Sequence, residues 1–457
     1  MLRFLKISAA VILVAFAADT AYLAGRNLGH GAAQPLGGIS RLIAEQSMPG
    51  NLGAVAMANP SSAAKVPPRE VFQSIIERIH RRYVRDYGGN GNLSNGALAG
   101  MVAALNDPFT SYLTPGRCTA REQSLTGTYH GIGADLVITR QTKNDVDYDY
   151  LTVLDTAPGG PAAKAGLEPG DHITNIDGHW IIAYSILADV ARIVKEKNKD
   201  AAAKQAELDP IASRFQAGYS LPKSLRLLTE GSGLTYKITY TRAGQSSPKT
   251  LTITTAVTAT KPAEFSTDSR GFAYFEIREF NGSVTNLFNQ VLPQIKHSKG
   301  LVLDLRNNSG GVISAAGSGL DGYGAALHLI SVLGRGGHIA TIEKRAGKFV
   351  PVDVAPSAGI GVPISILINR GTANLAEMVA QNLHTKIGAP LVGETTFGDT
   401  ILQLFAPLDD GGALQIDTAH IANLDGHPLK EPIKPSVVLS PSDANGPAAV
   451  VRAQSLL

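Results

Sequence analysis

Residues 157–171 read Ala157-Pro-Gly-Gly-Pro-Ala-Ala-Lys-Ala-Gly166-Leu-Glu-Pro-Gly-Asp171, and Ile176-Asp-Gly178 follows shortly after. Proline is tolerated in the first turn of a helix but not in its interior, so a short helix is expected after Pro161, followed by a Gly-Asp turn. β-type runs flank it. Leu151-Thr-Val-Leu154 and His172-Ile-Thr-Asn-Ile176 bunch or alternate apolar residues as strands do, and residues 234–242 and 250–255 form a hairpin around Ala243-Gly244. Residues 186–224, rich in Ala and Lys at helical spacing, interrupt this β unit as a helical insertion. Upstream, Tyr129-His130-Gly131-Ile132-Gly133 leads into the apolar run Leu136-Val137-Ile138. A glycine turn entering a strand lets backbone N–H groups converge into an anion nest beside an exposed strand edge. That combination suits capture of a peptide's C-terminal carboxylate by strand addition, with His130, Gly131, Ile132 and Gly133 as the candidate peptide-binding residues.

Taken in order, these pieces resemble a PDZ domain, spanning residues 118–258 with the insertion at 186–224. Toward the N-terminus, Val71, Ile75, Ile76, Ile79, Tyr83 and Val84 fall near a 3.6-residue period, which predicts an amphipathic helix over 69–86. A second helical stretch at 98–105 ends at Asn106-Asp107-Pro108, giving an N-terminal helical region at 67–117. Residues 27–66, rich in Gly, Ala, Ser and Asn, read as a linker. Residues 1–26 carry an address: Arg3 and Lys6, an uncharged apolar stretch at 7–18, and Ala15-Phe16-Ala17 as a small-residue cleavage site. The stretch is short for ~30 Å of hydrocarbon, so a secretory signal peptide is expected. The competing reading is an uncleaved anchor running through Tyr22-Leu23, the one contact with a membrane. Both put the bulk of the chain outside the cytoplasm, in the periplasm or anchored at the inner membrane.

Beyond residue 270 the texture becomes α/β. Runs at 272–277, 301–305 and 364–368 suit buried strands, and 284–295 and 375–383 suit helices between them. An α/β core is expected over 259–440, with 441–457 as a frayed tail. The whole is thus a multidomain α+β fold: N-terminal helices, a PDZ β-unit with a helical insertion, and an α/β core.

The 457 residues carry 41 Lys+Arg against 38 Asp+Glu (41 − 38 = +3) and are 44% hydrophobic. Wholesale disorder and fibrous repeats are excluded by that composition. A charge of +3 with scattered basic residues offers no field for nucleic acid, so no nucleic-acid partner is expected. Cys118, the lone cysteine, excludes an intramolecular disulfide and a Cys-rich metal site. The 11 histidines lack metal-ligand spacing with carboxylates, so neither metal nor cofactor is expected. His384 and Trp180 read as surface or packing residues.

In the C-terminal half, Leu303-Asp304-Leu305-Arg306-Asn307-Asn308-Ser309-Gly310-Gly311 ends a buried strand in a glycine turn. Then come Gly371-Thr-Ala-Asn-Leu-Ala-Glu377 at a strand-to-helix junction and Gly393-Glu-Thr-Thr-Phe-Gly-Asp-Thr-Ile-Leu-Gln403. With Gly100-Met101 and Leu105-Asn-Asp-Pro-Phe-Thr-Ser-Tyr-Leu113 upstream, residues 67–437 resemble the C-terminal processing peptidases, or tail-specific proteases. The resemblance implies an exported serine peptidase with a Ser–Lys dyad, a PDZ domain that engages substrate tails, and a homodimer through the N-terminal helices. A lysine base must be held neutral by burial.

This chain departs from that pattern at the dyad. Where the family reads Gly-Thr-Ala-Ser-Ala-Ser-Glu, the first serine position is Asn374 and the second is Ala376. The dyad lysine follows Phe-Gly in the family, and that slot is Asp399, with the family spacing kept (399 − 374 = 25). The assisting glutamine is present as Gln403, and the resemblance gives Gly310, Gly311 and Leu375 as the oxyanion donors. The Arg linked to tail-triggered activation is missing from the strand segment Leu228-Thr229-Glu230. Asparagine is no nucleophile, and Asn374 and Asp399 are expected to hydrogen-bond to each other in a pocket that no longer reacts. Three functions stay open on the sequence. The first is a pseudopeptidase that binds protein tails as an adaptor or regulator. The second is a working serine-type tail-specific peptidase with a rearranged site. The third is a structural envelope component using the insertion as its interaction surface.

Overall fold

A computed structural model describes residues 68–457 apart from 85–88, 106, 108, 144–145, 185–192, 194–195, 197, 246, 316–317 and 423–430. The expected signal or anchor and the linker lie outside the described residues. The chain divides at Asn106 into two compact units. In the first, α1 (Pro68–Arg82) stops four residues short of the expected end, and α2 (Asn90–Ala103) starts eight before the expected start.

The second unit opens with β1 (Ser111–Leu113), α3 (Pro115–Leu125) and β2 (Thr128–Tyr129). An antiparallel sheet follows, in the order β3 (Ala134–Lys143), β4 (Val146–Thr156), β5 (His172–Ile176), β7 (Thr235–Thr241), β8 (Lys249–Thr254), with β6 (His179–Trp180) beside β5. The short α4 (Pro161–Ala165) ends at Gly166 in the left-handed region, φ 83°, where glycine meets no Cβ penalty. Ile132, Leu151, Val153, Ile173, Ile176 and Ile238 form this body's core.

Two expectations fail here. The helical stretch contains α5 (Ala201–Ala217) and α6 (Leu221–Thr229), and α6 belongs to the PDZ-like body. Ser224 and Leu228 are fully buried and Leu221 and Leu225 pack on the same core. Both segments are helical, but only 221–229 carries a marked apolar stripe, and its Leu221, Leu225 and Leu228 dock on the domain core. For the same reason Leu228-Thr229-Glu230 closes a helix, capped at its start by Ser220, and is not strand.

The C-terminal core is built on a six-stranded sheet ordered β10 (Ala263–Thr267), β11 (Ala273–Ile277), β12 (Leu301–Asp304), β15 (Ile364–Ile368), β16 (Leu391–Gly393), β19 (Val437–Val438). β10 joins antiparallel and the remaining pairs are parallel. Strands covered on both faces need apolar residues throughout, and every residue of β12 and β15 is buried. One face packs on α7 (Gly282–Lys296), α8 (Gly322–Leu333) and α9 (Leu375–Ile387). A second sheet runs β1, β18 (Ala413–Ala422), β13 (Gly337–Lys344), β14 (Lys348–Val354), with β17 (Ile401–Pro407) also on β18.

The expected frayed tail is instead α10 (Pro441–Ala444) and α11 (Pro447–Gln454), which cover the opposite face of the main sheet. Ala449 and Ala453, one turn apart, pack on Val302, Leu367 and Val392. The face is made of alanine while Val451 is 60% exposed, so hydropathy gives no amphipathic signal. Among the described residues no helix is long and apolar enough to cross a membrane.

Ala453→Glu, which forces a charge against that sheet face, is expected to destabilise the protein by about 3 kcal/mol or more. Val451→Ala should change stability by less than about 0.5 kcal/mol. Urea unfolding of both variants checks the contrast.

Candidate active site

The carboxyl ends of β12 and β15 converge, which is where open α/β sheets place ligands. β15 ends at Ile368 and α9 begins at Leu375, and the turn between them is tied down residue by residue. Thr372 Oγ1 donates to the Leu305 carbonyl at 2.7 Å, the Ala373 N–H donates to the Asn308 carbonyl at 2.9 Å, and the Asn374 N–H donates to the Asp399 carbonyl at 2.9 Å. Under these constraints Asn374 adopts φ 54°, ψ −119°. A non-glycine residue there carries strain of about 1–3 kcal/mol. A sharp strand-to-helix turn holding one strained residue is the geometry that exposes a nucleophile in hydrolases.

The side chain at that elbow turns inward. Asn374 is 5% exposed; its Nδ2 donates to the Ile401 carbonyl, and its Oδ1 accepts the Leu375 N–H at 2.8 Å. The expected side-chain bond to Asp399 is therefore not formed. The Ile401 carbonyl is the nearer partner because β17 starts beside the elbow. Of the expected oxyanion donors, the Leu375 N–H is thus taken, and the Gly310 N–H donates to Asn308 Oδ1 at 2.8 Å. Gly310 has φ 101°, and a Cβ there would lie 2.6 Å from Asn374 Cβ, so glycine is required for the close approach. Gly311 follows it in the same loop. Gln403 is on β17, where its Nε2 donates to the Phe109 carbonyl at 2.8 Å and its Oε1 accepts from Gln415 Nε2.

Two carboxyls flank the elbow. Glu377 closes a capping box on α9: its Oε2 accepts the Asn374 N–H at 3.2 Å, and its Oε1 accepts from Thr396 Oγ1 at 2.5 Å and the Gly398 N–H at 2.9 Å. Burial pushes Glu377 up to about 8, against the pull of these donors. The carboxyl of Asp399 is enclosed although the residue is partly exposed. Burial raises it to about 6, while the Ile401 N–H, 3.0 Å from its Oδ1, favours the charged form. His420, held by Asp417 at 3.4 Å, also favours that form.

The turn expected to bind peptide is closed as well. The Ile132 N–H donates to the Leu228 carbonyl at 2.7 Å and the Gly131 N–H to the Gly231 carbonyl at 3.1 Å, while the Gly133 N–H makes a longer bond of 3.4 Å to the His130 carbonyl. The expected open nest is filled by the end of α6, which sequence reading had assigned to a strand. The His130 ring pairs with Gln123 Oε1 at 2.5 Å. His384 is exposed and Trp180 stacks under Arg214, as packing residues.

One link had no sequence signal. Ser309, next to Gly310 and Gly311, has its Oγ 2.6 Å from Glu279 Oε2 and 3.1 Å from Asp135 Oδ2 on β3. Burial, reinforced by Asp135, pushes Glu279 up to about 7. Asn308, fully buried with its Nδ2 on the Ile277 carbonyl, is a second missed residue; its place in Asn307-Asn308-Ser309-Gly310 was the available hint.

Residues 271–439 match the profile of peptidase family S41, and residues 152–202 match that of the PDZ domain. The chain carries a family S41 peptidase domain and a PDZ domain. It is 28% identical over 350 residues to the chloroplastic C-terminal processing peptidase of Tetradesmus obliquus, covering 76% of this chain and 68% of that one. It is 25% identical over 346 residues to the carboxy-terminal processing protease CtpA of Bacillus subtilis, covering 76% and 63%. The chain thus spans about two thirds of the length of these relatives. In fold, the photosystem II D1 C-terminal processing protease superposes with a TM-score of 0.55 at 24% identity, over 84% of this chain and 92% of that one. The elbow at Asn374, the loop at Gly310-Gly311 and Asp399 all lie inside the S41 domain.

The raised carboxyl of Asp399 sets a pH dependence. The unfolded group titrates near ~4, so the stability of the neutral buried form is fully present below about pH 4 and is lost as pH rises through about 6. Asp399→Asn keeps the acceptor for Ile401 and has no proton to lose. Relative to this variant, the wild type should lose on the order of 2 kcal/mol between those limits. Urea unfolding at both pH values measures it; parallel pH profiles would refute the assignment.

Proposed function

We propose that this chain is an exported, catalytically silent relative of the C-terminal processing peptidases that holds protein tails or extended segments as an adaptor or regulator. The observation that carries the reading is the elbow. Its strained backbone suits a nucleophile, but it bears an amide whose two ends are bonded to Ile401 and Leu375. Covalent catalysis needs a nucleophile within reach of a base. The nearby Thr372 hydroxyl is buried against Leu305, and the lysine slot holds a carboxyl. A two-carboxylate mechanism needs a pair sharing a proton around a water. Glu377 is instead enclosed within its own helix cap, which argues against that route.

Tail holding is supported by the PDZ match and by β3, which ends its sheet and pairs only with β4 among the described strands. Export rests on Arg3, Lys6 and the uncharged stretch that follows. In a bacterial host the protein should be recovered outside the cytoplasm, shortened near Ala17 or anchored there. Full-length protein in the soluble cytoplasm would overturn this part.

Incubation with an unfolded protein, read by mass spectrometry, should yield no fragments from the wild type. Asn374→Ser supplies a hydroxyl and releases the Leu375 N–H, and Asp399→Lys supplies the base. Neither alone is expected to cleave, and the double variant is expected to cleave slowly. Wild-type cleavage that disappears on Asn374→Ala or Asp399→Ala would establish a working peptidase with a rearranged site instead.

A further inference from the structure

Between α3 and α6 lies a cleft of about 760 Å³, a volume typical of small-ligand sites. Arg117 and Gln123 line it from α3, Lys223 and Arg226 from α6, and His130 and Glu230 from the adjoining turns. Three cations face one carboxylate. Glu230 is engaged by Arg117 at a loose 3.6 Å, and its buried Oε1 makes no hydrogen bond among the described residues. Burial and the neighbouring Arg226 pull Arg117 below the ordinary arginine range, so the two guanidiniums repel across the cleft. Lys223 rests over the Tyr219 ring at 3.6 Å. Arg226, exposed on the same helix face, has no ion-pair partner among the described residues.

The position of the cleft names the missing anion. A strand added antiparallel to the free edge of β3 would have its C-terminal end beside Ala134, where the His130–Gly133 turn meets the cleft. The Gly131, Ile132 and Gly133 donors of that turn are already bonded, to Gly231, Leu228 and His130. We propose that the α-carboxylate of a bound protein tail is received by the Arg226 guanidinium, with Arg117 behind it, in the cleft between α3 and α6 rather than by the backbone amides of the Gly131–Gly133 turn. A guanidinium offers a carboxylate two parallel N–H donors, which amides already bonded elsewhere do not. The inference rests on the tail capture proposed above and locates it.

The test uses the full protein and a fluorescein-labelled octapeptide ending in Val-Val-Leu, as the free acid and as the C-terminal amide, titrated by fluorescence anisotropy. The wild type is expected to bind the acid about tenfold more tightly than the amide. Arg226→Gln should remove that preference by weakening the acid alone. Glu230→Gln, which deletes the competing carboxylate, should strengthen the acid and leave the amide unchanged. These opposite signs separate a carboxylate site from general damage to the fold. Equal binding of acid and amide, or an Arg226→Gln variant that keeps the preference, overturns this site while leaving strand-addition capture standing. A wild type that binds neither peptide overturns both.

Discussion

The backbone at residue 374 is held in a conformation that an asparagine does not choose for itself, and the surrounding core enforces it. Thr372 is bonded to Leu305, Ala373 to Asn308, and Asn374 both to Asp399 and to the Glu377 cap. Each bond comes from a different part of the chain: the end of β12, the glycine loop, the approach to β17, and the first turn of α9. Strain of this kind persists only where neighbouring structure over-determines it. Those four segments must therefore arrive together, and the parallel sheet that aligns β12 with β15 brings them there. The elbow is thus fixed by the architecture around it, and the side chain it carries is an amide.

That amide also bears on the Gly310-Gly311 loop. A site built to stabilise developing charge keeps backbone donors aimed at a vacant position. In this protein the Leu375 N–H is bonded to the Asn374 amide oxygen and the Gly310 N–H to Asn308. An amide at residue 374 thus puts no hydroxyl at the elbow and occupies the Leu375 donor in one step. Buried polar groups favour such pairing, since an unsatisfied donor costs about 1–3 kcal/mol. Ser309 then joins the same loop to β3 of the PDZ-like body through Asp135. The Ser309 hydroxyl thereby links the loop to the PDZ-like body.

Much of this was legible in the sequence. Proline and glycine at positions 161 and 166 set α4, the run at 364–368, apolar but for Ser365, set β15, and the strand-to-helix junction at 371–377 is where the sequence places it. Where reading failed, the missing information was packing. Residues 221–229 carry a marked apolar stripe where 201–217 carry almost none, and the packing of Leu221, Leu225 and Leu228 on the PDZ core shows what that stripe is for. The C-terminal helix buries alanines, whose hydropathy is too weak to mark a face, against Val302, Leu367 and Val392.

By itself, then, the sequence determined that a PDZ domain precedes an S41 domain and that residues 374 and 399 are an amide and a carboxyl. These are local or compositional properties. The tertiary structure alone decided where each polar group finds its partner. It bonded the Asn374 amide to Ile401 and Leu375 rather than Asp399, filled the Gly131–Gly133 turn with the carbonyls of Leu228 and Gly231, and set Arg117 and Arg226 across one cleft. Hydrogen-bond partners are chosen by distances of about 3 Å between segments remote along the chain, and no periodicity or motif encodes such distances.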